Sequence, residues 1–336
     1  MHHLSWLEAA VVGLLQGVSE LFPVSSLGHS VLLPAVIGGS WARDLNVAAP
    51  ESPYLAFIVG THVATALALL AFYWRDWLRL LGGLVTSLRH RRVSNPDERL
   101  IWQLILGTVP VGLVGLLFEH WLRTHLGRPV PAACFLIVNG LILLGIEWYV
   151  ARSPGPENSP VEAPVEAPVE GPVEGPVEAP VEGTAAGAVA VREQGAVAAG
   201  AEGVAADARL ARMSFAKALA IGSVQVLALA PGISRSGATT AAGMAARVRR
   251  EDALRFSFLL ATPVILAAGV LKLPDLFGPL GDGVRPQVLA GSALAGIGAY
   301  ISARWLTRWV HTNTLRPFGW YCLVAGSACL LLFAVR

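Results

Sequence analysis

Gln16 and Glu20 stand four residues apart in an apolar run, and Pro23-Val24-Ser25-Ser26-Leu27-Gly28-His29 follows at once. Four residues is about one helical turn, so an amide and a carboxylate share one side of a helix. Pro23 cannot continue that helix without loss of a hydrogen bond. Ser25 or Ser26 is suited to cap a second, short helix that carries His29. A carboxylate, an amide, two hydroxyls and an imidazole thus gather at a helix break inside apolar sequence. In lipid that arrangement is costly, and it marks function. A second group stands at Pro231-Gly232-Ile233-Ser234-Arg235-Ser236-Gly237-Ala238-Thr239-Thr240.

Each group suggests a chemistry. Arg235, flanked by hydroxyls and by small residues whose backbone N–H groups can approach closely, reads as a phosphate clamp. Ser234, Ser236, Thr239 and Thr240 add donors, and a helix starting after this loop would aim its positive end at the same anion. The alternative is a structural arginine tied to backbone carbonyls or to a carboxylate. Glu20 has two candidate tasks, metal coordination and proton transfer, beside a plain packing role. Gln16 can offer an oxygen or hydrogen-bond but cannot act as a base. His29, close to Ser25 and Ser26, could activate a serine or itself attack phosphorus. His62 is open between site and structure. Cys134, Cys322 and Cys329 lie in apolar runs without metal-ligand spacing and read as packing residues.

Both groups must be held by membrane helices. Of the 336 residues, 54% are hydrophobic and 14% charged, with a mean hydropathy of +0.58. Soluble domains carry roughly a quarter charged residues, so a polytopic membrane protein is expected. Apolar spans fit residues 54–74, 100–118, 132–150, 256–273, 287–303 and 318–335. Residues 4–22 and 215–230 are shorter and polar near their ends, and each precedes one of the two polar groups. Residues 31–53 read as a Gly/Pro-rich connection, and 75–99 as a basic loop. No removable signal peptide is expected at the N-terminus.

Residues 160–183 are six tandem Pro-Val-Glu-Ala/Gly tetrads, followed by Ala/Gly-rich sequence. A proline every fourth position excludes a regular helix, so 151–213 is expected to be an extended, solvated linker. On either side the halves look alike, 1–150 and 214–336. Each has a broken helix with Gln16 or Gln225, a proline six or seven residues on, a Ser/Gly cluster, and three spans. Repeats built from broken helices place their site at the repeat interface. The loops 75–99, 151–217, 247–255 and 304–316 hold 18 of the 25 Lys/Arg, against six on the opposite side. That asymmetry makes the first side cytoplasmic. The expected fold is an all-α inverted repeat of six full spans and two broken, re-entrant helix pairs.

At these residues the chain resembles the bacterial undecaprenyl-diphosphate phosphatases, also called the bacitracin-resistance family. That family's signatures are (Glu/Gln)-x-x-x-Glu with Pro-Val-Ser-Ser-x-Gly-His, and Pro-Gly-x-Ser-Arg-Ser-x-x-Thr. Here the first stands at Gln16 to His29 and the second at Pro231 to Thr239; residues 256–263 also resemble the family's fourth span. The resemblance covers the chain except the insertion at 153–210. It implies removal of the terminal phosphate of undecaprenyl diphosphate, which recycles the lipid carrier for cell-wall synthesis and confers resistance to bacitracin. It implies Ser26, His29, Glu20 and Arg235 as the catalytic set, with Gln16, Ser25, Ser234, Ser236 and Thr239 around the substrate. Ser26 or His29 would be the nucleophile. A divalent cation (Mg or Ca) would be held in part by Glu20. Gln16 takes the amide alternative, which weakens a two-carboxylate metal site, and Leu27 stands where many members have threonine.

The expected location is the bacterial plasma membrane, with the site toward the extracytoplasmic side. Expected partners are the polyprenyl diphosphate, membrane lipids and, as an option, a second copy of the chain in a homodimer; nucleic acid is not expected. Two rivals bear on the same residues. The acid-phosphatase-like lipid phosphatases need a histidine shortly after Ser-Arg, and position 241 is alanine with none nearby. A polyprenyl-phosphate transporter or flippase would need the clamp without Ser26 and His29.

Overall fold

The computed structural model describes residues 4–46, 53–153, 201–278 and 283–336, among which there is no strand. The Pro-Val-Glu tetrads lie outside the described residues. The elements are α1 (Trp6–Leu21), α2 (Ser26–Ile37), α3 (Gly39–Asp44), α4 (Pro53–Phe72), α5 (Trp74–His90), α6 (Pro96–Leu126) and α7 (Pro129–Arg152). After the insertion come α8 (Ala201–Ala211), α9 (Phe215–Ser223), a 3₁₀ turn (Val224–Leu229), α10 (Arg235–Ala245), α11 (Arg250–Phe277), α12 (Arg285–Thr312) and α13 (Arg316–Val335).

Among the described residues, five helices are long and apolar enough to cross a membrane: α4, α6, α7, α11 and α13. The 28-residue α12 is long enough too, but Gly, Ala and Ser take the place of large apolar residues on it. Those small residues let one face of it pack closely on both α1 and α4, while Leu289, Ile297 and Ile301 face outward. Large apolar side chains such as Leu116, Leu117, Val270, Val324 and Leu331 point outward, where lipid acyl chains solvate them. The protein is a multi-pass membrane protein.

The two halves exchange equivalent contacts. In the first, α1 packs on α12; in the second, α9 packs on α6. Both contacts are backbone against backbone. A Cβ on Gly17 would lie 2.3 Å from the Ala295 carbonyl oxygen, and one on Gly222 would lie 2.4 Å from the Gly107 Cα. Small residues at crossing points are how membrane helices approach closely without a hydrophobic driving force. Each broken helix thereby grips a full span of the opposite half.

Three stretches differ from their sequence reading. The basic loop 75–99 is largely α5, whose Trp77, Leu80, Gly83 and Ser87 are buried while Leu78, Leu81, Val85 and Leu88 face outward. Its arginines obscured a helical period, because an amphipathic helix can lie along a membrane surface with charges at its flanks. The connection 31–53 is helical through Asp44. The expected linker to 213 ends earlier, because residues 201–211 form α8. That helix is anchored by charge: Asp207 is 1% exposed and receives the Arg255 Nε and Nη2 at 2.8 and 2.9 Å, with Arg79 as a further donor. Such a buried carboxylate is stable only with its cations in place. At the same end of the bundle, Glu147 of α7 joins Arg250 of α11 at 2.9 Å and the Leu315 N–H before α13 at 2.7 Å.

Candidate active site

Two serine-capped helix starts are brought together. Ser25 caps α2, its Oγ accepting from the Gly28 N–H at 3.2 Å. Ser234 caps α10, its Oγ accepting from the Gly237 N–H at 3.1 Å. Ser25 Oγ also accepts from the Gly232 N–H at 3.1 Å, so one hydroxyl holds both motifs. Ser25 adopts φ 68°, strained for a serine and tolerated where surrounding bonds over-determine it. Gly232, at φ 112°, has no room for a side chain: a Cβ would lie 2.3 Å from the Ala132 carbonyl oxygen of α7.

Glu20 is the hub. Its Oε2 accepts from Ser26 Oγ at 2.5 Å and from Gln16 Nε2 at 3.0 Å, and its Oε1 accepts from Arg235 Nη2 at 2.8 Å. His62 Nε2 of α4 lies 3.4 Å from Oε2. Glu20 is 8% exposed and Ser26 also 8%. A buried carboxylate of this kind persists because a cation and donors surround it. Arg235 Nη1 is buried without a partner. One side of the guanidinium is thus engaged by Glu20 while the other retains unused donors, a geometry that fits a phosphate oxygen.

A cavity of about 240 Å³ opens over this hub. Its polar floor is formed by Glu20, Ser25, Ser26, Ser234, Arg235 and His62, and its wall is largely apolar, including Ile58, Val111, Leu229, Val264 and Ile265. Such a lining accommodates an anionic head and a hydrocarbon stem. Gln16 lies behind Glu20 rather than on the lining. Ser236 shares a 3.0 Å hydrogen bond with Ser234, and Thr239 is buried inside α10; neither lines the cavity.

His29 is placed elsewhere. Its Nδ1 is 2.7 Å from the Ser25 carbonyl oxygen and its Nε2 is 2.7 Å from the Tyr321 hydroxyl of α13, on which the ring stacks. It is not on the cavity lining, and its imidazole is bonded to neither Ser26 nor Glu20. Residues 26 and 29 are neighbours on α2, but the imidazole is taken up by the Ser25 carbonyl and the Tyr321 hydroxyl, so closeness in sequence did not become contact. His62 occupies the place beside the carboxylate instead.

Asn139 of α7 is the positioning residue that sequence reading missed. Fully buried, it donates through Nδ2 to the Pro23 carbonyl at 2.9 Å and accepts through Oδ1 from the Ser234 N–H at 3.0 Å. One amide therefore bridges the two motifs, and a lone Asn inside the apolar stretch 132–150 was its signal. Asn139→Leu leaves the Ser234 N–H without its acceptor, at a cost of about 1–3 kcal/mol, and leaves the Pro23 carbonyl with only the 3.9 Å contact from the Cys322 thiol. We expect phosphate release to fall about ten- to a hundredfold, with a lower unfolding midpoint in detergent. Wild-type turnover in that variant would remove Asn139 from the account.

The comparisons with known proteins follow the same residues. The sequence matches the family described as bacitracin resistance protein BacA over residues 9–166 and 171–328. The chain belongs to this family. It is 53% identical over 334 residues to an undecaprenyl-diphosphatase of Mycolicibacterium paratuberculosis, covering 99% of each chain. An undecaprenyl-diphosphatase 1 of Frankia casuarinae is also 53% identical, with each chain fully covered. A more distant relative, undecaprenyl-diphosphatase 2 of Chromobacterium violaceum, is 38% identical over 97% of this chain and 98% of its own length. The family spans both halves and both polar motifs.

Proposed function

We propose that this protein hydrolyses undecaprenyl diphosphate to undecaprenyl phosphate and inorganic phosphate in the bacterial plasma membrane, and thereby supports cell-wall synthesis and bacitracin resistance. The observation that carries this reading is one contact chain: a serine hydroxyl 2.5 Å from a buried carboxylate whose other oxygen is 2.8 Å from an arginine with free donors. Nucleophile, base and anion clamp are then within reach of one reacting phosphorus. The apolar wall suits a polyprenyl stem. The uneven Lys/Arg distribution supports an opening on the extracytoplasmic side.

In the proposed sequence, Arg235 holds the terminal phosphoryl group and offsets the charge on its oxygens. Ser26 Oγ attacks that phosphorus and gives its proton to Glu20. The bond to the bridging oxygen breaks, and the lipid monophosphate leaves. Water then attacks the phosphoserine, Ser26 recovers its proton, and phosphate departs. Ser26, rather than His29, is the nucleophile in this reading, because only Ser26 lies on the cavity beside a base.

A divalent cation is part of the proposal. Gln16 Oε1 is buried without a partner behind Glu20, so an amide oxygen and a carboxylate oxygen stand side by side, of which the carboxylate alone borders the cavity. Hard cations such as Mg²⁺ commonly take one or two protein oxygens and complete their shell with substrate phosphate and water. Such an ion would add charge neutralisation at the diphosphate.

The test is direct. Purified protein in detergent, given undecaprenyl diphosphate, releases inorganic phosphate, and Glu20→Gln lowers the rate by about a hundredfold or more. Lipid binding without phosphate release under any divalent cation would overturn the reading and leave a lipid carrier.

A further inference from the structure

His62 of α4 borders the cavity beside Glu20, and its two ring nitrogens stand in different surroundings. Nδ1 lies 2.8 Å from the Ile58 carbonyl oxygen, one turn back on the same helix. A carbonyl can only accept, so Nδ1 carries the hydrogen and the neutral ring presents a lone pair at Nε2. Metal-binding histidines are held in this way, with the far ring nitrogen bonded to a backbone carbonyl or a carboxylate. Nε2 faces the carboxylate and is 3.4 Å from Glu20 Oε2. That is longer than the roughly 2.7–2.9 Å of a charge-assisted N–H···O bond. Two donor atoms each about 2.1 Å from one divalent ion stand about 3.0 Å apart in an octahedral shell and about 3.4 Å apart in a tetrahedral one. The pair is therefore spaced as two ligands of a single ion.

The neighbouring groups can accommodate that ion. Oε2 takes hydrogens from Ser26 Oγ and from Gln16 Nε2, the latter at 3.0 Å. An ion replaces the Gln16 donor, and a half-turn of that amide brings its unpartnered Oε1 to the position Nε2 holds. Ser26 keeps its bond to the carboxylate. Among the described residues no third His, Cys, Asp or Glu joins Glu20 and His62. The shell thus stays open on the cavity side for phosphate oxygens and water. Charge agrees with this: Glu20 is already balanced by Arg235 at 2.8 Å, so a dication is retained together with an anionic ligand such as a diphosphate.

Resting on the hydrolysis reading above, we propose that His62 Nε2 is a ligand of the divalent cation, alongside Glu20 Oε2, and that it determines which ion is preferred. Carboxylate and amide oxygens alone suit Mg²⁺ and Ca²⁺, whereas an imidazole nitrogen moves the preference toward first-row transition ions. The ion favoured here is Mn²⁺ over Ca²⁺.

The probe is Mn²⁺, with a polyprenyl methylenediphosphonate to fill the open positions. Its electron paramagnetic resonance is followed in wild type, His62→Gln and His29→Gln, each purified without a polyhistidine tag. In wild type we expect a nitrogen hyperfine coupling on the bound ion. His62→Gln loses it, and His29→Gln, whose native ring is bonded to Tyr321, keeps it. The Kd for Mn²⁺ rises about tenfold or more in His62→Gln, while the Kd for Mg²⁺, read by competition, stays within about threefold. A coupling that survives in His62→Gln, or that is absent from wild type, overturns the proposal. So does an unchanged Kd for Mn²⁺, the result expected of a histidine that merely pairs with Glu20 as an imidazolium. A variant whose unfolding midpoint in detergent collapses is replaced by His62→Asn and read in the same way. Failure of the hydrolysis reading looks different, since wild type itself then releases no phosphate with any divalent ion.

Discussion

Arg235→Ala is expected to release phosphate from undecaprenyl diphosphate at least about a thousandfold more slowly than wild type. Two losses combine. The terminal phosphoryl group loses the donor that is buried and unpartnered in the free protein. Glu20, 8% exposed, loses its 2.8 Å cation partner and becomes an uncompensated buried charge. Breaking a buried pair from one side typically costs about 3–5 kcal/mol, so the unfolding midpoint should fall as well. The double variant Arg235→Ala/Glu20→Gln separates these effects: removing the stranded charge recovers stability but not turnover. Arg235→Lys should remain well below wild type, because a single ammonium cannot hold Glu20 and a phosphate oxygen with the planar fork of a guanidinium. A single Arg235→Ala protein that hydrolyses at the wild-type rate would place the phosphate elsewhere.

Ser26→Ala is the second large effect, with an expected loss of about 10⁴-fold or more in kcat. Its structural cost is small. Glu20 Oε2 keeps the Gln16 contact at 3.0 Å and His62 at 3.4 Å, and Oε1 keeps Arg235. Substrate affinity should therefore be preserved within a few-fold. Retained binding with lost hydrolysis distinguishes a nucleophile from a residue that merely orients the lipid. His29→Ala is expected to be milder in turnover, since that ring braces the start of α2 against Tyr321 and is bonded to neither Glu20 nor Ser26.

What sequence could disclose was local. Gln16 and Glu20 at one-turn spacing do touch and Ser25 does cap the following helix, whereas the second helix, expected after the Ser/Arg loop, begins within it at Arg235. These follow from helix period and from capping chemistry, which need no knowledge of the tertiary fold. The halves could be matched for the same reason, through Gln16 with Gln225 and the proline after each. What stayed hidden depends on which way a span is rotated. His62 and Asn139 are polar residues inside long apolar helices, and period alone does not say which neighbour they face. His29 was misled by proximity: three residues along a new helix carried it toward α13 instead of the cavity. The helix α5 was hidden by its charge, and α8 by the Ala/Gly-rich sequence that follows the tetrads. Arg79 and Asp207, 128 residues apart in sequence, are ion-paired across elements that each read as solvated on their own.

The central claim is that Ser26 and Glu20 act as nucleophile and base at the terminal phosphorus. The measurement that tests it most directly is the stereochemical course at that phosphorus, with a diphosphate lipid whose terminal group is made chiral by oxygen isotopes and sulfur. Two successive in-line displacements through a phosphoserine predict net retention of configuration. Net inversion would mean that water attacks directly, and would remove Ser26 from the role assigned to it.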